Sequence, residues 1–382
     1  MKKALVLGSG MVGKVMAKDL AQDSDFHVTV ADVSEQSLTQ LNVENNIITK
    51  VVDLSDPDVI TGLAANYDII LGALPSRLGF SALKAVIRSG RPYCDISFMP
   101  EDASELNDLA VESGVTAIVD CGVAPGMSNL LSGYACNLLD ECSSIEIYVG
   151  GLPVERYLPY QYKAGFSPYD VIEEYTRPSR MVENGNIITR EALSEPEFIS
   201  FPGIGTLEAF NTDGLRSLIN TLNVPEMKEK TLRYPGHIEI MRVLRDTGYF
   251  SKEEIEVSGK TVRPLDLTAE LLFPVWEFNE GEADLTVMRV TATGVLQGKN
   301  ISITWDLLDY YDPASGHRSM SRTTGYTCSV MARQLAMGRI NRKGVIFPEM
   351  LGGDDKLVDV ILGELTSRGI SYRMTQKSIK TR

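Results

Sequence analysis

The sequence predicts an α/β protein, a doubly wound parallel sheet followed by a second, mixed α/β domain. Three observations carry that prediction. Short apolar runs alternate with amphipathic stretches through about the first 120 residues. A glycine-rich turn, "GSGMVG", follows the first run, and from "SSIEIYVGGLP" onward the rhythm changes to longer alternating segments. At 382 residues, 43% of them hydrophobic, the chain exceeds the comfortable size of one core, so more than one domain is expected.

The six early runs are "ALVLG", "HVTVADV", "KVVDL", "YDIILGAL", "PYCDISF" and "VTAIVDCGV". They are apolar without polar alternation, as strands covered on both faces must be. They place a nucleotide-binding domain at residues 1–125. Residues 126–320 read as a substrate and dimerisation domain, in which Asp284 to Thr293 and Asn300 to Leu308 pair as an antiparallel ribbon. That ribbon is the expected face of a homodimer. Residues 321–382 read as helices returning to the first domain. "SMSRTTGYTCSVMARQLAMG" has Thr323 or Thr324 as its cap and Gly338 as its stop, and "DKLVDVILGELTSRG" supplies the last helix. Trp276 and Trp305 are assigned to core or interface.

The charge balance removes several classes of function. A formal net charge of −14 gives no counterion-release gain on nucleic acid and repels an anionic membrane surface. The longest apolar runs fall short of a membrane span. The N-terminal "MKKALVLGSG" breaks after five apolar residues and offers no small-residue cleavage site, so it reads as a strand. Five cysteines without a CxxC pair fit reduced thiols in a cytoplasmic protein, and three histidines without HExxH give no metal centre.

Gly8, Gly10 and Gly13 hold the GxGxxG spacing, with Ser9, Met11 and Val12 between them. The first glycine permits the tight turn, the second admits a pyrophosphate to backbone N–H groups, and the third lets helix pack on strand. Asp32, followed by Val33, closes the second strand nineteen positions after Gly13. A carboxylate there accepts both adenosine ribose hydroxyls and repels a 2′-phosphate. The expected cofactor of this Rossmann-type sheet is therefore NAD, with NADP disfavoured and Ser34 leaving some tolerance. The other strand ends face the same crevice. Asp53, followed by Leu54, ends the third strand, either at the adenine or as a helix cap. Ala73, Leu74 and Pro75 follow the fourth, and Asp95 and Ser97 end the fifth, beside the nicotinamide.

At "DCGVAPGMSNLLSGY", "IYVGGLPVE", "SPYDVIEEYTRPSRMVENG" and "TLRYPGHIE" the chain resembles the saccharopine dehydrogenase family, over nearly its full length. Within that family it is most similar to the L-lysine dehydrogenases. The resemblance implies a two-domain enzyme that takes hydride from a carbon bearing an amine. The glutamate-forming saccharopine dehydrogenases usually carry an Asp where this chain has Ala124. They also carry a "PNRDS" arginine where it has Thr212, and "RYxGF" where it ends in His237. Saccharopine has three carboxylates and lysine one, so loss of a carboxylate binder favours lysine. Arg216, four positions on, is a possible substitute.

Arg233 in "RYPGH" is the first candidate for the substrate carboxylate, since a guanidinium grips it in bidentate fashion. His237 is the expected titrating group. Asp120 would orient the amine or relay its proton, and Asp95 has the same double reading. Lys163 and Tyr162 are possible substrate contacts; Arg177 and Arg180 serve a turn. Cys121 reads as a small buried filler, because the chemistry needs no covalent intermediate. Three readings stand side by side: lysine oxidation with NAD, a saccharopine or carboxynorspermidine type of reductive amination, and an NAD-sensing protein without turnover.

Overall fold

The computed structural model describes residues 1–41 and 46–379. The chain opens with β1 (Lys2–Leu7), α1 (Met11–Ala21), β2 (Phe26–Asp32), α2 (Glu35–Thr39), β3 (Ile47–Val51) and α3 (Pro57–Ala64). It continues through β4 (Ile69–Gly72), α4 (Ser76–Arg88), β5 (Tyr93–Asp95), α5 (Asn107–Glu112), β6 (Thr116–Ile118) and α6 (Met127–Leu138). Next come β7 (Glu141–Pro153), α7 (Pro168–Thr176), β8 (Ser179–Glu183), β9 (Asn186–Arg190), β10 (Glu197–Phe201) and β11 (Gly205–Asn211). These lead into α8 (Leu218–Thr221), β12 (Glu226–Arg233), α9 (His237–Asp246), β13 (Ile255–Val257), β14 (Lys260–Val262), α10 (Pro264–Trp276), β15 (Asp284–Leu296) and β16 (Lys299–Tyr310). The chain finishes with α11 (Ser319–Ala336), β17 (Gly344–Ile346), α12 (Asp355–Ser367) and β18 (Tyr372–Ser378).

Two compact units result. The first holds Met1–Asn137 and Ser321–Ser371, the second Leu138–Met320 and the segment from Tyr372. The first unit is built on a parallel sheet of order β17-β6-β5-β4-β1-β2-β3. Five of the six apolar runs fall on its strands, while the third strand, Ile47–Val51, lies earlier than the run "KVVDL" and shares only Lys50 and Val51 with it. β1 is buried throughout its second half, Ala4 to Leu7, because helices cover both faces. The seventh strand, β17, pairs Val345 with Ala117.

The chain divides later than residue 125, because α6 belongs to the first unit. Gly133 lies so close to the Glu349 backbone that a Cβ would overlap it, and Asn129 Nδ2 donates to Glu349 Oε2 at 3.4 Å. α11 and α12 also lie in this unit from Ser321 onward. They are tied to α1 by the buried Asp19 carboxylate, which takes Arg333 at 2.6 Å and Arg368 at 2.7 Å. α11 starts before the expected Thr323 or Thr324. The Asp284 carboxylate accepts from the N–H groups of Ser319 (2.7 Å) and Met320 (3.0 Å), a cap remote in sequence.

The second unit carries a mixed sheet of order β10-β11-β12-β7-β15-β16-β18, with β8 on β12 and β9 on β8. β12 and β7 run parallel and the remaining pairs antiparallel. β15 and β16 form the expected ribbon. Their turn, Gln297–Gly298, has both φ angles positive (51° and 72°), the geometry of a two-residue hairpin loop. The far edge of the ribbon is not open, because β18 pairs along β16 from Ile301 to Leu307. Trp276 and Trp305 are both fully buried.

Candidate active site

In the first unit β1 and β4 are neighbours in the sheet although three strands apart in sequence order, so the strand order reverses between them. A crevice opens outside the carboxyl ends of strands at such a reversal. Ala73 N–H donates to Leu7 O at 2.8 Å, which brings the two strand ends together. Gly8 has φ 102°, and a Cβ there would stand 2.5 Å from Ala73 O. One on Gly13 would overlap the Gly8 carbonyl. Gly10 has nothing within 4 Å of its missing side chain. Two glycines thus pack the turn shut while the middle one leaves backbone open at the start of α1, the form a pyrophosphate requires.

Asp32 ends β2 beside this turn. Its carboxylate accepts from Ser9 N–H at 2.6 Å and from Ser34 N–H at 2.8 Å. Ser37 donates to Ser9 O at 2.7 Å and fixes the loop from the other side. Each Asp32 oxygen keeps acceptor capacity for a ribose hydroxyl. Val33, next along, is 67% exposed, and Met11 too is exposed, whereas Val12 is half-buried. Asp53 is exposed and closes a local turn by accepting from Ser55 N–H at 2.9 Å. It does not cap α3, because Asp56 does so through Asp58 N–H. Leu54 is buried in the core, Leu74 packs partly against it, and Pro75 stands exposed at the start of α4.

Asp95 is fully buried at the end of β5. Ser97 donates to one carboxylate oxygen, and the Tyr93 hydroxyl donates to the other at 3.1 Å. Burial pushes its pKa up to about 7, against the downward pull of those hydroxyls. A Cβ on Gly72 would overlap both the Tyr93 hydroxyl and Asp95, so the cluster needs glycine there. Cys121 N–H donates to Asp95 O at 2.9 Å and joins the ends of β5 and β6. Asp120, also buried, sits in the left-handed region at φ 55° on that turn. Cys121 Sγ lies 3.5 Å from Met331 Sδ in a fully buried site, a packing role.

In the second unit the residues "RYPGH" end β12 and start α9. Arg233 is 2% exposed, with Nη2 2.6 Å from Glu174 Oε2. Its guanidinium lies 4.5 Å from the Tyr162 ring centroid, and Nε donates to Tyr175 Oη at 3.3 Å. The Tyr175 hydroxyl is 2.9 Å from His237 Nε2, and His237 Nδ1 is 2.8 Å from Tyr160 O. A carbonyl only accepts, so Nδ1 carries the hydrogen and Nε2 accepts from Tyr175. Burial, and then Arg233, depress the His237 pKa to about 3. The expected titrating histidine is therefore corrected to a neutral ring with both nitrogens engaged.

Thr212 is brought to a different partner. Its hydroxyl donates to Glu229 Oε2 at 2.5 Å and lies 2.9 Å from the Thr231 hydroxyl. Burial pushes Glu229 up to about 8, helped by the nearby Glu174 and Asp213 carboxylates. Arg180 pairs with Asp213 at 2.9 Å, and Arg216 is half-buried at φ 53°. Lys163 donates to Glu282 at 2.6 Å and to Glu277 O at 2.9 Å. Sequence reasoning missed Glu174, Tyr175 and Glu229. The available signal is that "EEYT" lies within "SPYDVIEEYTRPSRMVENG", one of the stretches that carry the family resemblance.

The pH linkage of Asp95 and His237 runs in opposite senses. An unfolded Asp95 loses its proton near 3.8 and the folded one near about 7, so folded chains hold the extra proton between these values. Its stabilising contribution is complete below the lower value and lost as pH rises through the upper. His237 remains neutral down to about 3 when folded and protonates near 6.5 when unfolded, so its contribution is lost as pH falls. In Asp95→Asn the first effect disappears. Relative to the variant, the wild type should lose roughly 2 kcal/mol of stability between pH 5 and pH 7. Chemical denaturation at both pH values measures it, and a pH-independent difference would contradict the buried neutral acid.

A Rossmann-type sheet with this glycine turn and strand-end carboxylate defines the chain as a nicotinamide-dinucleotide-binding oxidoreductase. Family models match both parts of it, the saccharopine dehydrogenase NADP binding domain over residues 4–118 and the saccharopine dehydrogenase C-terminal domain over 122–370. The chain belongs to the saccharopine dehydrogenase family. It is 24% identical to saccharopine dehydrogenase [NADP(+), L-glutamate-forming] of Schizosaccharomyces pombe, over 97% of this chain and 98% of that one. It is also 24% identical to the mitochondrial alpha-aminoadipic semialdehyde synthase of Bos taurus, over 99% of this chain but only 48% of that protein. Among solved structures, apo saccharopine dehydrogenase (L-Glu forming) from Saccharomyces cerevisiae matches all of both chains with a TM-score of 0.81 at 20% identity, which shows the shared fold.

Proposed function

We propose that the chain is an NAD-dependent dehydrogenase that removes hydride from the carbon bearing the side-chain amine of L-lysine, leaving an imine that water opens or that cyclises. The choice of cofactor is supported by Asp32, whose charge favours ribose hydroxyls over a 2′-phosphate, and by Val33, which supplies no cation beside it. The observation that carries the choice of substrate is Thr212, a hydroxyl that donates to Glu229 and offers no cation for a further substrate carboxylate.

NAD, when bound, supplies the hydride acceptor. The chain must make the nitrogen lone pair available, which means taking a proton from the ammonium. His237 is unsuited to that task, as its Nε2 already accepts from Tyr175 and its pKa is far below neutral. The acid–base role passes to the strand-end carboxylates. Asp95, with its pKa near 7, takes up the proton, and Asp120 on the adjoining turn orients the amine. Arg233 is the cation for the substrate's α-carboxylate, which must then compete with Glu174 for it.

Incubating the purified chain with lysine and NAD at alkaline pH should give NADH absorbance, with a kcat/KM limb near pH 7 that disappears in Asp95→Asn. The second reading is the NADP-linked, glutamate-forming reaction named for the Schizosaccharomyces pombe relative, favoured by the NADP description of the matching domain model. Turnover of saccharopine with NADP and none of lysine with NAD would transfer the assignment to it.

A further inference from the structure

Arg233, the cation for the substrate's α-carboxylate in the proposed reaction, lies under cover. Each nitrogen of its guanidinium already has an acceptor. Nε donates to Tyr175 Oη at 3.3 Å, Nη1 to Leu232 O at 3.0 Å and Nη2 to Glu174 Oε2 at 2.6 Å. The Tyr162 ring stands over the group, its centroid 4.5 Å away. Tyr162, Tyr175 and Leu232 are buried parts of the fold, whereas the Glu174 side chain is 19% exposed. Among the three acceptors, Glu174 alone is a carboxylate and alone reaches toward water.

Glu174 meets the guanidinium with a single oxygen, Oε2. A carboxylate that brings both oxygens to the fork makes the stronger contact. What opposes the exchange is the charge left behind, because a buried carboxylate stripped of its cation is costly. The charged and titratable groups around Glu174 are Arg233 and Glu229 from β12, Asp170 and Tyr175 from α7 itself, and Tyr162 from the segment before α7. Burial already outweighs Arg233 and leaves the Glu174 pKa raised. Once Arg233 turns to another carboxylate, what remains is burial, Asp170 and, when ionised, Glu229. All of these favour the protonated form.

We propose that Glu174 is an internal stand-in for the substrate's α-carboxylate, and that it takes up a proton from solvent when that carboxylate replaces it on Arg233. This rests on the role given to Arg233 above and deepens it. The exchange keeps the charge of the cluster constant, one cation against one carboxylate. Glu174 thereby sets how tightly a carboxylate is held at each pH. Ionised, it competes for the guanidinium; protonated, it gives way. Affinity for a carboxylate falls as pH rises, because the bound state holds the extra proton.

The test compares lysine with 1,5-diaminopentane, its counterpart without the carboxylate. Both are titrated calorimetrically into the full chain saturated with NADH, where no oxidation occurs. Buffers of different ionisation heat count the protons exchanged. Around neutral pH the wild type should take up as much as about one proton more per lysine than per diamine. Its dissociation constant for lysine should rise by up to about tenfold per pH unit over the same range. Glu174→Gln should remove the extra proton, flatten that rise and tighten lysine about 10-fold near about pH 8, with diamine binding unchanged. Should the variant fail to fold, the wild-type difference between the two ligands decides alone. Equal proton counts for the two ligands, or lysine held no tighter by Glu174→Gln, overturn the stand-in. In that event a loss of lysine affinity in Arg233→Lys still upholds Arg233 as the carboxylate's cation, and no loss overturns both. Saccharopine binding with the same Glu174-dependent proton uptake, and no lysine binding, upholds the stand-in and overturns the lysine assignment. Binding of neither overturns both.

Discussion

Arg233→Ala should destabilise the second unit by about 3–5 kcal/mol, the usual consequence of removing one partner from a buried ion pair. The guanidinium is 2% exposed, and it is the group that pulls the Glu174 pKa down, against a burial that still leaves it raised. Without it the Glu174 carboxylate faces a cavity, Tyr162 loses the cation over its ring, and the Tyr175 hydroxyl loses a donor. Denaturant unfolding should show the loss as a lower midpoint with the slope preserved. The double variant Arg233→Met, Glu174→Gln should recover much of it, because exchanging both partners leaves no orphaned charge. A loss below about 1 kcal/mol in Arg233→Ala would mean that the pair is solvated like a surface bridge. Arg233→Lys keeps the charge but not the fork, so a rise in the KM for lysine at preserved stability would separate substrate binding from support of the fold.

Asp32→Ala should raise the KM for NAD about 10- to 100-fold, the equivalent of losing charge-assisted hydrogen bonds to ribose hydroxyls. NADP, no longer repelled, should gain relative to NAD. The kcat at saturating NAD should change little, since the proposed role of Asp32 is to hold the adenosine ribose and not the reacting carbon. Steady-state kinetics with both cofactors measures each effect. An unchanged cofactor ratio would show that Asp32 serves only the Ser9 and Ser34 N–H groups it already accepts.

The first sheet was legible because its signals are local. Gly8, Gly10, Gly13 and Asp32 lie within one strand–helix–strand unit, where spacing alone sets geometry. β17 was not legible, as three residues, Gly344–Ile346, find their partner β6 more than two hundred positions earlier. The late start expected for α11 failed for the same reason, since the cap belongs to Asp284 in a distant strand. In the candidate site, residue positions were easier to read than protonation states. His237 looks like a titrating group until its burial and its two hydrogen bonds are known. Asp95 looks like an ordinary carboxylate until burial lifts it to about 7. Glu174 and Tyr175, on the amphipathic helix α7, acquire their roles only from Arg233 packing against them.

In the proposed reaction hydride leaves the amine-bearing side-chain carbon of lysine for NAD. Lysine carrying deuterium on that carbon provides the direct measurement, read as isotope in the reduced cofactor by mass spectrometry. Labelled NADH and slower turnover than with unlabelled lysine are the expected result. Reduced cofactor formed from saccharopine, with no label transferred from lysine under any condition, would contradict it.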